Sequence, residues 1–210
     1  MDTPLLLLLV GLLYIVLGGG LSLLRREGLS AQFALEAVAV TAIFSGAAWL
    51  ANFDLHPALF LLVIYLLTMR VRLLVDLGTY YARRGNFSQA ERLYGLGERL
   101  FPSPADCLLV KVNRGVARLQ QGQLDEATSL LEEVLSKHGE GALGIKNESA
   151  AHYNLGVIYR RRQMEAKAHG EFNKVLEIWP VSEYARHAQA ALRRQPKEQP
   201  TPPPGQGPAL

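Results

Sequence analysis

The chain has a single cysteine, Cys107, which rules out an intrachain disulfide and a Cys-x-x-Cys metal site. Charge is scarce at the start: before Arg70 the charged residues are Asp2, Arg25, Arg26, Glu27, Glu36 and Asp54. The net charge of +3 is small and dispersed, which leaves no electrostatic footprint for nucleic acid. No G-x-x-x-x-G-K, H-E-x-x-H or G-x-S-x-G motif occurs. Histidines 56, 138, 152, 169 and 187 are scattered, none with a His or Cys at ligand spacing on a helix. These absences exclude a disulfide scaffold, a phosphate-loop nucleotidase, a helix-borne zinc hydrolase and an elbow-type serine hydrolase. The expectation is a chain that is not an enzyme, with no cofactor and no metal. Cys107, with no evident base beside it, is expected to be buried and inert.

What is present, first, is apolar length. Pro4–Leu24 runs 21 residues without a charge, and at 1.5 Å per residue it crosses roughly 30 Å of hydrocarbon. The acidic residue after Met1 and the long apolar run favour a retained span over a cleaved signal. Ala31–Phe53 is a second span, with Glu36 as its one ionisable residue. Near the interface, Glu36 can reach water or pair with Arg25 or Arg26; the alternative is a proton or ligand site. Pro57–Met69 is short at 13 residues, but the stripe continues through Val75 if Arg70 and Arg72 snorkel, giving a third span over 57–75. Arg25, Arg26, Arg70 and Arg72 fall on one side only if three spans put the N-terminus outside and the rest in the cytoplasm. Residues 1–69 thus read as a membrane domain.

Second, there is an internal repeat. "LGTYYARRGNFSQAERLY" from Leu77, "RGVARLQQGQLDEATSLL" from Arg114 and "LGVIYRRRQMEAKAHGEF" from Leu155 align, with Gly78, Gly115 and Gly156 at one place and Ala90, Ala127 and Ala168 at another. Each copy ends on a large apolar residue, Tyr94, Leu131 or Phe172. Small residues at fixed places let two helices approach, and the large residue fills the groove between them. The glycines are 37 and 41 residues apart, leaving extra residues at Ala105–Cys107 and Ala142–Glu148, between hairpins, where insertions disturb packing least.

On these residues the chain resembles the tetratricopeptide-repeat family, a 34-residue helix–turn–helix unit with pattern L-G-x-x-Y…A-x-x-x-F…P. Leu77, Gly78, Tyr81, Ala90, Tyr94 and Pro102 carry it in the first copy; Leu155, Gly156, Tyr159, Ala168, Phe172 and Pro180 carry it in the third. The second copy departs, with Arg114, Arg118 and Gly139 at the Leu, Tyr and Pro places, and Leu74, Lys111 and His152 stand where the family has Trp. The fold expected is all-α: N-terminal transmembrane helices, then an α-solenoid of about three helix-turn-helix repeats (71–104, 108–141, 149–182) and a capping helix over 182–195. This makes a repeat domain over 71–195, followed by a proline-rich disordered tail, 196–210. The third span is expected to run almost continuously into the first repeat helix.

The resemblance implies a protein or peptide partner held in a groove lined by the first helix of each hairpin. Asp76, Asn113 and Asn154 stand two residues before the repeat Gly, where an amide can bond an extended backbone. Thr79, Val116 and Val157 would then form the floor, with Tyr153, Arg83, Arg160 and Arg161 at the rim. The carboxylate clamp of chaperone-binding members is disfavoured, since Val75, Ala150 and Asn154 occupy its basic places and only Asn113 matches. The order of anchor and repeats is also similar to small photosystem-assembly tetratricopeptide proteins, which implies a bacterial inner membrane. The function expected is a membrane-anchored adaptor or scaffold that serves assembly or organisation of a membrane complex. The alternative is a small transport or channel subunit with regulatory repeats, for which Glu36 and Gly18–Gly20 are the motivation.

Overall fold

A computed structural model of the chain describes residues 2–24, 31–137 and 143–193; those residues form ten helices and no strand. The Arg25–Arg26 pair, His138, the Ala142 end of the second insertion and the proline-rich segment from 196 onward lie outside them.

Helices α1 (Thr3–Leu24), α2 (Ala31–Ala51) and α3 (Pro57–Thr68) pack on a small core of Leu7, Ala37, Ala48, Phe60 and Ile64. Small residues set their spacing: a Cβ on Gly11 would meet Thr41 Oγ1 at 2.3 Å, and one on Gly18 would meet Phe33 Cζ at 2.6 Å. Outward-facing Leu12, Leu35, Ile43, Leu62 and Leu66 remain exposed, which in water would be a large unfavourable apolar surface. α1 and α2 are long and apolar enough to cross a membrane.

The third helix departs from expectation. α3 has 12 residues, about 18 Å at 1.5 Å per residue. It does not run on into the repeats but is bent by 72° from α4 (Arg70–Arg83). Neither Pro nor Gly stands at the break. Instead Met69 leaves helical geometry at φ −103°, ψ 9°, and the Arg70 guanidinium takes the Leu67 carbonyl at 2.6 Å.

Three antiparallel hairpins follow: α4 with α5 (Phe87–Arg99), α6 (Pro104–Gln120) with α7 (Leu124–Ser136), and α8 (Ile145–Arg161) with α9 (Glu165–Ile178); α10 (Glu183–Arg193) closes the stack. Helix starts are sealed locally. Asn86 Oδ1 accepts from Gln89 N, Ser103 and Asp106 form a capping box before Pro104, and Ser182 Oγ accepts from Ala185 N at 2.9 Å. Two hairpin turns use Gly85 and Gly122 at φ +78° and +80°; the third puts Gln163 there, at φ +60°. Tyr94, Leu131 and Phe172 are buried against Gly78, Gly115 and Gly156, the close approach that the repeat pattern requires. Two polar pairs tie the hairpins further. The Tyr159 hydroxyl donates to Glu132 at 2.8 Å, and burial together with that carboxylate pushes the phenol up to about 12. His152, where the family has Trp, bonds Glu171 at 2.6 Å; burial pushes the Glu171 carboxyl up, but His152 and Lys174 outweigh it and hold it below the ordinary carboxylate range.

Candidate functional site

The predicted groove residues lie on the first helices of the hairpins, α4, α6 and α8. Asn113 is used within the stack: its Nδ2 donates to Leu109 O at 2.8 Å, and its Oδ1 accepts from Thr79 Oγ1 at 3.1 Å, one hairpin back. Asn154 repeats the first bond, with Nδ2 to Ala150 O at 2.7 Å. It cannot repeat the second. The residue equivalent to Thr79 is Val116, which has no hydroxyl, and among the described residues no donor reaches Asn154 Oδ1. One carbonyl oxygen on this surface therefore stays open to an N–H.

Tyr153 sits at the centre of a ring cluster, with centroids 5.9 Å from Phe172, 5.9 Å from Tyr184 and 6.0 Å from His187. Tyr184 and His187 come from α10 and were not among the predicted groove residues, because only the docking of α10 brings them there. Burial pushes the Tyr184 phenol up, Glu183 adds to that, and the Arg83 guanidinium partly offsets it. Asp76 and Arg83 are exposed, while Val116 and Val157 are half-buried; Val157 packs against both the α6–α7–α8 core cluster and the α9–α10 cluster.

Two of the three rim arginines have structural bonds. Arg160 donates to Ala191 O at 3.3 Å and stacks over the Phe172 ring at 5.2 Å; Arg161 donates to Leu119 O at 3.3 Å. They complete the C-terminal turns of α10 and α6, whose last carbonyls have no intrahelical partner.

Elsewhere, burial pushes the Cys107 thiol up, with Asp106 and Glu98 adding, so it is not poised as a thiolate. Among the described residues no group of three His, Cys, Asp or Glu could hold a metal ion. Glu36 is paired: Arg70 binds it bidentately at 2.5 and 2.8 Å, and Gln32 donates to it at 2.9 Å, while the expected partners Arg25 and Arg26 lie outside the described residues.

Residues 106–180, which take in α6 through α9, match the family model for the tetratricopeptide repeat. No curated protein and no solved structure matches the chain. Repeats of this family are typically protein-interaction modules rather than enzymes. With glycine against a large apolar residue at each hairpin and a closing helix behind, residues 106–180 are repeats of the tetratricopeptide type in an all-helical chain, preceded by two helices able to cross a membrane.

Proposed function

We propose that the chain is a multi-pass membrane-anchored adaptor whose repeat stack holds an extended segment of a protein partner beside the bilayer. The carrying observation is the Asn113–Asn154 pair: two amides oriented alike by their own helices, of which Asn154 keeps an open acceptor. An extended backbone offers N–H groups at regular intervals, and an oriented carbonyl amide is suited to take one. Tyr153, Tyr184 and His187 alongside it give an aromatic, partly apolar seat for a side chain. Arg70 and Arg72 at the bundle end of α4, with Asp54 at the opposite end, favour a cytoplasmic stack and an N-terminus outside. Three crossings need α3, which is short by itself; local bilayer thinning accommodates such a helix at modest cost. Organisation of a membrane complex is the role that fits a partner-binding stack fixed at the bilayer. Of the two motivations for the transport alternative, Glu36 and Gly18–Gly20, the first is a carboxylate held by Arg70 and Gln32.

The test is photocrosslinking from position 157 in native membranes, identification of the captured partner, and its recapture by variants. Asn154→Ala should weaken capture more than Asn113→Ala, whose bonds are internal. Asn113→Ala should instead cost stability, about 1 kcal/mol for the lost hydrogen bond. Equal capture by wild type and Asn154→Ala would remove the groove assignment.

A further inference from the structure

We propose that the headgroup layer of the bilayer is the N-terminal cap of the repeat stack, with the outward face of α4 seated in it. This rests on the membrane reading above. A solenoid hairpin buries its faces only against neighbours, so each end of the stack needs a cover. The C-terminal end has one: Ala185, Ala188 and Ala191 of α10 are buried with Phe172 and Val175. At the other end α4 turns Val71, Val75, Gly78 and Ala82 into the core. On its opposite side Arg70, Leu73, Leu77, Tyr80 and Arg84 follow at alternating steps of three and four, one line along the helix. Leu77 and Tyr80 are 45% and 46% exposed. Among the described residues α4 packs chiefly on α5 and α6, and beyond Arg70, which meets Glu36 of α2, Leu77 and Tyr80 on that line stay exposed.

The line points at the bundle. Its first member, Arg70, binds Glu36 of α2 and donates to the carbonyls of Leu100 and Phe101 at 2.8 and 2.9 Å; Gln32 of α2 also donates to Phe101 O, at 2.8 Å. The α5–α6 loop is thereby held on the end of α2, and the Phe101 side chain projects from it, 82% exposed at φ +51°. The bend supplies the angle. With α3 along the membrane normal, the 14 residues of α4 at 72° climb only about 6 Å over a length of about 21 Å. A headgroup layer is about 5–8 Å thick on each side of the hydrocarbon, so the whole of α4 stays within its reach.

The chemistry suits that layer. Arg84 lies 4.4 Å over the Tyr80 ring, an aromatic plane with a cation and a hydroxyl at its edge. Tyrosine settles at the membrane interface for this reason, with its ring towards the acyl chains and its polar tip in water. Arg84 can reach a lipid phosphate while its stem covers the apolar line.

Bromolipid quenching in nanodiscs tests this with the full chain. The two tryptophans are changed (Trp49→Phe, Trp179→Phe) and Tyr80→Trp is introduced, with Leu77→Trp as a second reporter should the first disturb folding. Asn173→Trp, on the exposed side of α9, is the solvent control, and circular dichroism checks helix content. At positions 80 and 77 the emission is expected to be blue-shifted and to lose intensity with lipids brominated near the headgroup, while position 173 keeps its intensity. Emission at 80 and 77 like that at 173 overturns the cap. A blue shift without quenching, in discs holding two copies, assigns the face to a second chain and overturns it equally. A separate variant retaining only Trp49, which is 74% exposed on α2, reports on the bilayer reading. If Trp49 is quenched and positions 80 and 77 are not, the cap alone fails. If Trp49 is unquenched, both fail.

Discussion

A methyl group added at Gly156 would lie 2.6 Å from Phe172 Cε1, and one at Gly78 would lie 2.5 Å from Tyr94 Cε1. Both rings are fully buried and have nowhere to go. At Gly115 the nearest atoms belong to the Leu131 side chain at 3.1 Å, which can yield by a few tenths of an ångström. Replacing helical Gly by Ala gains about 1 kcal/mol of propensity, against roughly 1–3 kcal/mol for overpacking. The three substitutions should therefore separate: Gly78→Ala and Gly156→Ala are expected to destabilise by about 1–2 kcal/mol, while Gly115→Ala is close to neutral. Thermal unfolding in detergent followed by circular dichroism reads this, and equal shifts at all three would refute it. These contacts were legible in the sequence because small and large residues recur at fixed spacing within one hairpin. The Thr79–Asn113 bond was not, although both residues were singled out, because it depends on the offset between stacked hairpins.

At the scale of the element, the three intra-hairpin turns differ in one residue. Gly85 and Gly122 adopt left-handed geometry freely, but Gln163 is forced to φ +60° by the same turn. A side chain there costs roughly 1–2 kcal/mol, part of which Gly returns as extra freedom in the unfolded chain. Gln163→Gly is expected to raise stability by about 0.5–1 kcal/mol, seen as a higher melting temperature with an unchanged helical spectrum. An unchanged or lower melting temperature would show that the turn is not strained. The helices themselves were readable from periodicity, caps and turn residues. The end of α3 was not. "LLTMRVRLL" carries apolar residues straight through Met69, and the break comes from Arg70 reaching Leu67, Glu36 and the α5–α6 loop, contacts that only tertiary structure supplies.

For the whole molecule, the joint between bundle and stack is tied by the Arg70 guanidinium, which bonds both, and by Gln32, which donates to Phe101 O. Arg70 is mostly buried, as is Glu36, and every N–H direction it uses ends on a carboxylate or a carbonyl. Arg70→Ala should leave each half folded while loosening their mutual angle; Glu36→Gln should do the same more weakly, since the main-chain bonds persist. Pulsed electron–electron distances between spin labels at Trp49 and Asn173 of a Cys107→Ala chain are expected to broaden in that order. A distribution as narrow as in the unmutated joint would show that packing alone sets the angle.

The bend at Met69 has a final consequence for encounter. A domain on a flexible leash samples a hemisphere, and a partner must find it there. On the adaptor reading proposed above, a stack pinned in this way cannot roam, and its groove would stay at one height and one tilt above the leaflet. A partner rooted in the same leaflet then meets it by lateral diffusion alone, at a high effective concentration. A freely dissolved partner gains nothing from the arrangement, so membrane-rooted proteins are favoured over soluble ones of equal intrinsic affinity.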